Sequence, residues 1–295
     1  MNGLVLIDKK EGMSSYDVIK IIKRKFNSKK VGHCGTLDPF ASGLLIVGVN
    51  QATKVMNFLE HDFKEYEFKI KLGTLTDTYD LTGKVLQEKE ILKFTKQDIL
   101  KVLNEFKGEI TQTPPIYSSI HVNGKHLYEY ARNNEEVNIP TRKVFIYDLN
   151  LITFTKDEIF LKVKCSRGTY VRSLGVDIAF KLNQVGHLSY LRRLSIGKNK
   201  VDNAYCLEQL LNEQIILTPI EKALSFKKID IKDQRCLKKI YNGQEIRLDE
   251  KDEKVLLMDG NNAIAIYQKM ENNYYHCLRG LYDEEIRFKR LNELS

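Results

Sequence analysis

Between Lys30 and Leu45 the chain reads Lys-Val-Gly-His-Cys-Gly-Thr-Leu-Asp-Pro-Phe-Ala-Ser-Gly-Leu-Leu. This run puts one carboxylate, Asp38, in a glycine-bracketed bend just ahead of an apolar strand at Leu44–Val49. A residue before proline is driven out of the helical region, so the Asp38 backbone is confined to an extended range. Gly35 and Gly43 allow sharp bends, or close approach of a ligand to the backbone. A loop stiffened in this way can aim a single acid. From spacing alone the default reading is a surface turn, because Asp-Pro and glycine-rich segments commonly mark turns without a site.

Around this bend the first 226 residues alternate strand-like and helix-like runs. Leu4–Ile7 reads as a buried strand, and Ser15 as the cap of a helix with Val18, Ile19, Ile22 and Phe26 at helical spacing. Residues 51–60 read as a further helix. Tyr66, Phe68, Ile70 and Leu72 alternate with polar residues and share one strand face. Thr95-Lys96-Gln97-Asp98 has the form of a capping box, with Gly108 as a stop. Asn123-Gly124 signals a hairpin. Val144–Phe154 and Ile159–Cys165 are expected to pair around Lys156-Asp157-Glu158. From residue 227 short strands near 245–248, 255–258, 263–267 and 274–281 are separated by polar turns, the pattern of a small, mostly β domain. The domains are therefore expected at 1–226 and 227–295.

The chain has 295 residues, 42% of them hydrophobic, enough for a real core. No apolar stretch approaches the roughly 18 residues that cross a bilayer, and no export signal is expected. Five scattered cysteines without a CxxC pair fit a reducing cytoplasm, and neither zinc nor any other metal is expected. The net charge is +8, whereas residues 227–295 hold 14 basic and 13 acidic side chains, so the excess lies in the first unit. That suits a polyanionic partner, or equally a solvated basic surface.

The Asp38 run, with Leu6-Ile7-Asp8-Lys9-Lys10-Glu11-Gly12-Met13-Ser14-Ser15, resembles the TruB family of tRNA pseudouridine-55 synthases. Lys64-Glu65-Tyr66, Gly73–Gly83, Cys165–Arg172 and His187–Leu194 match in the family's order, so the resemblance covers about three quarters of the chain. It implies the α+β class, with a catalytic domain of mixed, largely antiparallel sheet and flanking helices, followed by a PUA-like domain. It also implies conversion of uridine 55 in the tRNA T-arm loop to pseudouridine by a cytoplasmic monomer, with tRNA as partner, no membrane, no cofactor and no obligate protein partner. Two rivals remain: a guide-RNA-dependent synthase of the dyskerin type, and an RNA-binding folding factor without catalysis.

The resemblance makes Asp38 the nucleophile and pairs Arg172 with it. It sets Tyr170, Tyr66 and Leu191 against the target base, and puts His33 in the space near the extruded base. Lys54 and Asp80 match positions close to the active-site loop. On the residues alone, a surface arginine, core tyrosines and a core leucine are the simpler readings. Tyr170 and Arg172 share a face only if Thr169–Arg172 is extended, so a helix is expected to begin after it, through Leu174, Ile178, Ala179 and Leu182. Residues 114–143, with Tyr117, His121, Lys125, His126, Tyr128, Tyr130, Arg132, Arg142 and Lys143, read either as an RNA-gripping insertion or as inert surface.

Overall fold

The computed structural model describes residues 2–59 and 62–294. Its first half runs β1 (Gly3–Lys9), α1 (Ser15–Lys25), β2 (Val31–Cys34), β3 (Ser42–Val49), β4 (Phe63–Leu72), β5 (Thr74–Thr76), β6 (Val85–Glu88) and α2 (Lys96–Glu105). There follow β7 (Gly108–Gln112), β8 (His121–Val122), β9 (Lys125–His126), α3 (Leu127–Asn133), β10 (Arg142–Phe154), β11 (Glu158–Ser166) and α4 (Val171–Lys181). Then come β12 (Gly186–Ile196), β13 (Asn199–Lys200), α5 (Leu207–Asn212) and α6 (Ile220–Ala223). The last elements are β14 (Lys227–Asp230), α7 (Gln234–Tyr241), β15 (Ile246–Arg247), β16 (Lys254–Asp259), β17 (Asn262–Lys269), β18 (Tyr274–Gly280) and α8 (Glu284–Glu293).

Alternating side chains give β4 one buried face, Tyr66, Phe68, Ile70 and Leu72, as the period of two requires. It lies inside a nine-stranded sheet ordered β1-β3-β12-β4-β11-β10-β7, with β2 beside β3 and β13 beside β12. All pairs are antiparallel except β3 with β12, which meet only at Ser42–Arg192 and Gly43–Arg193. Farther along β3 its partner is β2. The sheet therefore forks where the Asp38 loop leaves β2 and enters β3. Helices α2 and α4 cover the buried face of β4 and its neighbours, while α1 packs Val18, Ile19 and Ile22 on β1 and β3. The hairpin at Asn123-Gly124 forms with both residues left-handed, at φ 50° and 84°.

Several local expectations need correction. Helix α1 is capped by Ser14, whose side chain accepts from the Asp17 amide while Asp17 accepts from Ser14. Ser15 is already helical, and its hydroxyl has another use, described below. Residues 50–58 form 3-10 turns instead of an α-helix, fitted tightly over Gly48, and Glu60 lies outside the described residues. Helix α2 ends at Glu105, ahead of Gly108, which instead opens β7.

Residues from β14 onward build a five-stranded sheet ordered β14-β16-β17-β18-β15, with α7 and α8, neither of which the strand pattern announced. This unit has its own apolar cluster around Leu237, Ile240, Tyr267 and Tyr275. A second cluster is shared between the units: Leu256, Met258, Ile266 and Leu281 pack with Leu4, Leu44, Ile46, Val55 and Ile196. The Lys54 ammonium adds a polar tie, donating to the carbonyls of Gly280 (3.0 Å) and Tyr282 (2.9 Å).

Candidate active site

The loop between β2 and β3 is held by its backbone. Arg193, wholly buried, donates from Nη2 to the Gly35 carbonyl (3.0 Å), from Nη1 to Thr36 (3.3 Å) and from Nε to Leu44 (2.7 Å). The Ser15 hydroxyl bonds both the amide and the carbonyl of Leu37, at 2.9 and 3.0 Å. Asp38 offers its carbonyl to the Ala41 amide (3.0 Å), and Pro39 accepts from the Gly12 amide (2.8 Å). The equally buried Lys9 ammonium donates to the carbonyls of Ala41, Met13, Lys10 and Pro39. Burial lowers the Lys9 pKa to about 8, with Asp38 pulling the other way. Nearly every carbonyl of the loop is therefore occupied, and its shape does not depend on the Asp38 side chain.

Asp38 points into a cavity of about 300 Å³ walled by Tyr66, Tyr170, Leu191, Arg172, Lys64 and Tyr117, among others. That lies at the small end of ligand pockets. Arg172 is buried and meets Asp38 along one edge: Nε makes an ion-pair contact with Oδ2 at 2.9 Å, and Nη2 donates to Oδ1 at 3.2 Å. The two terminal nitrogens have further partners. Nη1 donates to the Thr78 carbonyl (2.8 Å), Nη2 to the Tyr117 carbonyl (2.9 Å), and Asp80 stands 3.7 Å from Nη1. Asp80 itself is buried and tied to the hydroxyls of Thr78 and Thr82.

The segment carrying Tyr170 and Arg172 is not extended throughout. Tyr170 is the extended cap of α4, at φ −96° and ψ 107°, and Arg172 already lies in the first helical turn. Both still line the cavity, because the helix begins between them and swings Arg172 back toward the site. The side-chain amide of Gln112 fixes this junction, accepting from the Tyr170 amide (2.8 Å) and donating to the Tyr170 carbonyl (3.0 Å).

Withdrawal from water raises the Asp38 pKa; Arg172 opposes this, Asp80 adds to it, and Lys9 opposes it weakly. Burial likewise raises Tyr66, whose phenol stays neutral at ordinary pH. If ionised Asp38 is the reacting form, kcat/KM falls as pH drops through a value above the usual aspartate pKa of about 3.9. A pH profile of kcat/KM on RNA is expected to show that raised acid limb. A limb at pH 4 or below would mean that Arg172 outweighs burial.

Tyr66, Tyr170, Arg172 and Leu191 are thus gathered around Asp38, with Asp80 behind Arg172. His33 sits on β2 and does not line the cavity; burial, then Arg193, lowers its pKa. Lys54 does not line the cavity, and its ammonium donates to the carbonyls of Gly280 and Tyr282. Lys9, Arg193, Lys64 and Gln112 were missed, since basic and amide side chains are ordinarily read as surface. From 114–143, Tyr117, Ser118, Ser119, Tyr128 and Arg142 reach the cavity wall, and Arg142 lies over the Tyr170 ring at 5.5 Å. Among the described residues, no group of three or more His, Cys, Asp or Glu could hold a metal ion. No helix there is long and apolar enough to cross a membrane.

Over 97% of its length the chain is 41% identical to "tRNA pseudouridine synthase B" of Mycoplasma mycoides subsp. mycoides, covering 99% of that protein. It is 44% identical to the protein of that name from Caldanaerobacter subterraneus subsp. tengcongensis, covering 84% of this chain and 87% of the other. Among solved structures, a chain of a Cbf5–Nop10–Gar1 complex superposes with a TM-score of 0.69 at 22% identity, covering 97% of this chain and 86% of that one. The archaeal box H/ACA Nop10–Cbf5 complex gives 0.68 at 23%, covering 97% and 88%. At such identity these two speak for the fold alone. Residues 23–171 match the N-terminal domain of the TruB family pseudouridylate synthases. The chain belongs to that family.

Proposed function

We propose that this protein converts uridine 55 in the T-arm loop of tRNA to pseudouridine, acting as a cytoplasmic monomer without guide RNA or protein partner. The reaction breaks the glycosidic C–N bond, turns the base and joins its C5 to the sugar, so no atoms enter or leave. It needs a nucleophile and a cavity that retains the loosened base. The observation that carries the reading is Asp38, ion-paired to buried Arg172 at the wall of a cavity of about 300 Å³ lined by Tyr66, Tyr170 and Leu191. In this assignment Asp38 is the nucleophile, Arg172 favours its ionised form, and Asp80 positions Arg172. Tyr66 and Tyr170 stack on or flank the uracil, Leu191 packs against it, and His33 is assigned to the space near the extruded base.

Flipping the uridine costs a few kcal/mol, which contacts elsewhere on the RNA must offset. Residues 114–143 suit that task. The rings of His126 and Tyr128 stack at 5.0 Å, Arg132 lies 5.3 Å from the Tyr128 ring, and Tyr128 reaches the cavity. The high identity to proteins named for tRNA modification, against 22–23% to the Cbf5 chains, supports the stand-alone type.

Purified protein alone is expected to place pseudouridine at position 55 of an unmodified tRNA transcript. Conversion only after adding guide RNA and partner proteins would favour the dyskerin-type rival. Faster tRNA folding without any modified nucleotide would leave only the folding factor.

A further inference from the structure

Lys64 stands on β4 two residues before Tyr66, so its side chain leaves the same face and reaches the cavity wall. A Cβ on Gly35 would lie 3.3 Å from the Lys64 Nζ, which seats the ammonium against the loop that carries Asp38. The charged and titratable groups facing it are Arg193 on β12, Cys34 on β2, Cys165 on β11 and Arg167 just after β11. None is an anion at neutral pH, since burial raises both thiols, Cys165 to about 11. Lys9 and Arg193 spend their charge on backbone carbonyls, and Arg172 on carboxylates and carbonyls. Lys64 differs: among the described residues its Nζ forms no hydrogen bond or ion pair.

Burial, then Arg193, lowers the Lys64 pKa to about 8, which leaves it largely charged at neutral pH. The Lys64 ammonium is half-buried, so it has lost part of its water with no anion in exchange, and an arriving anion relieves that cost. In a nucleotide the uracil and ribose are neutral, so the anion is the phosphodiester.

We propose that Lys64 binds the phosphodiester adjoining the target nucleotide, making a phosphate subsite inside the catalytic cavity. The proposal rests on the function given above. It makes the loop a two-part device, with Asp38 presented to the nucleoside and Lys64 anchoring the backbone from which that nucleoside is drawn.

The test uses RNA stem-loops carrying one neutral methylphosphonate linkage, placed 5′ or 3′ of the target uridine. The sugar ahead of the linkage is 2′-O-methylated in both the neutral RNA and its phosphate control. Dissociation constants are measured with wild type, Lys64→Met and Lys64→Gln. One of the two linkages is expected to weaken wild-type binding about 10- to 100-fold, the worth of a charge-assisted bond. Either variant should bind the phosphate control with a similar loss and show no further loss on that neutral RNA. If the two losses multiply, or if neither linkage affects wild type, the subsite is refuted. Wild-type turnover of the plain stem-loop is read in parallel. Its absence would refute the proposed function, whereas normal turnover with multiplying losses would refute only Lys64. Both variants remove a half-buried charge that has no partner, so melting temperatures equal to or above wild type should confirm that they fold.

Discussion

Asp38→Asn is expected to fold as wild type does, to bind tRNA within a few-fold of wild-type affinity, and to turn over at least about 10⁴-fold more slowly, the scale of losing a nucleophile. The folding expectation follows from the loop, whose carbonyls are held by Arg193, Ser15, Lys9 and backbone amides, without the carboxylate. Arg172 keeps the carbonyls of Thr78 and Tyr117 and the neighbouring Asp80, so its charge is not abandoned. Desolvation already weighs against the ionised carboxyl, so its loss also lifts a burden from the native state. Asparagine keeps the shape and removes the electron pair that attacks. Filter binding, a thermal melt and pseudouridine mapping on one preparation separate these expectations. Turnover within a hundredfold of wild type would remove Asp38 from the nucleophile's place.

Gly43→Ala is expected to cost about 3–5 kcal/mol of stability, the range of severe single substitutions. Gly43 has φ +105°, and an added Cβ would lie 2.2 Å from the Arg193 carbonyl oxygen and 2.7 Å from its amide nitrogen. Those are backbone atoms of the strand at the sheet's fork, where β3 and β12 share only two paired positions. Relief requires β12 to withdraw, and Arg193 would carry its guanidinium away from Gly35 and Thr36. Turnover per folded molecule should therefore fall as well. Gly12→Ala is the control, since it shares a positive φ of +83° but meets nothing within 4 Å, and should cost only about 1 kcal/mol. Urea unfolding measures both. A Gly43→Ala shift no larger than that of Gly12→Ala would mean that strain alone matters and the fork yields.

The sequence displayed what depends on neighbours along the chain. The period of two in β4 exposed the face that carries Tyr66, and Thr95 with Asp98 marked the start of α2. Asp38 was visible because proline and two glycines advertise a stiff bend. What escaped depends on partners remote in sequence. Lys9 and Arg193 look like surface cations until loop carbonyls enclose them. Ser15 looked like a cap because Ser14 and Ser15 are equally suited, and only the Leu37 backbone, 22 residues on, claims the second hydroxyl. Arg172 was assigned to the right cavity through the wrong backbone, since the start of α4 is settled by Gln112 gripping Tyr170 from 58 residues away. Lys54 matched a family position near the loop, yet its ammonium is claimed by carbonyls more than 220 residues distant.

The apolar cluster that joins Leu44, Ile46 and Ile196 to Leu256, Ile266 and Leu281 has a mechanical consequence. Where composition changes near residue 227, apolar side chains from both halves fill one interior, and Lys54 ties the seam. Swinging the halves apart would expose that interior to water.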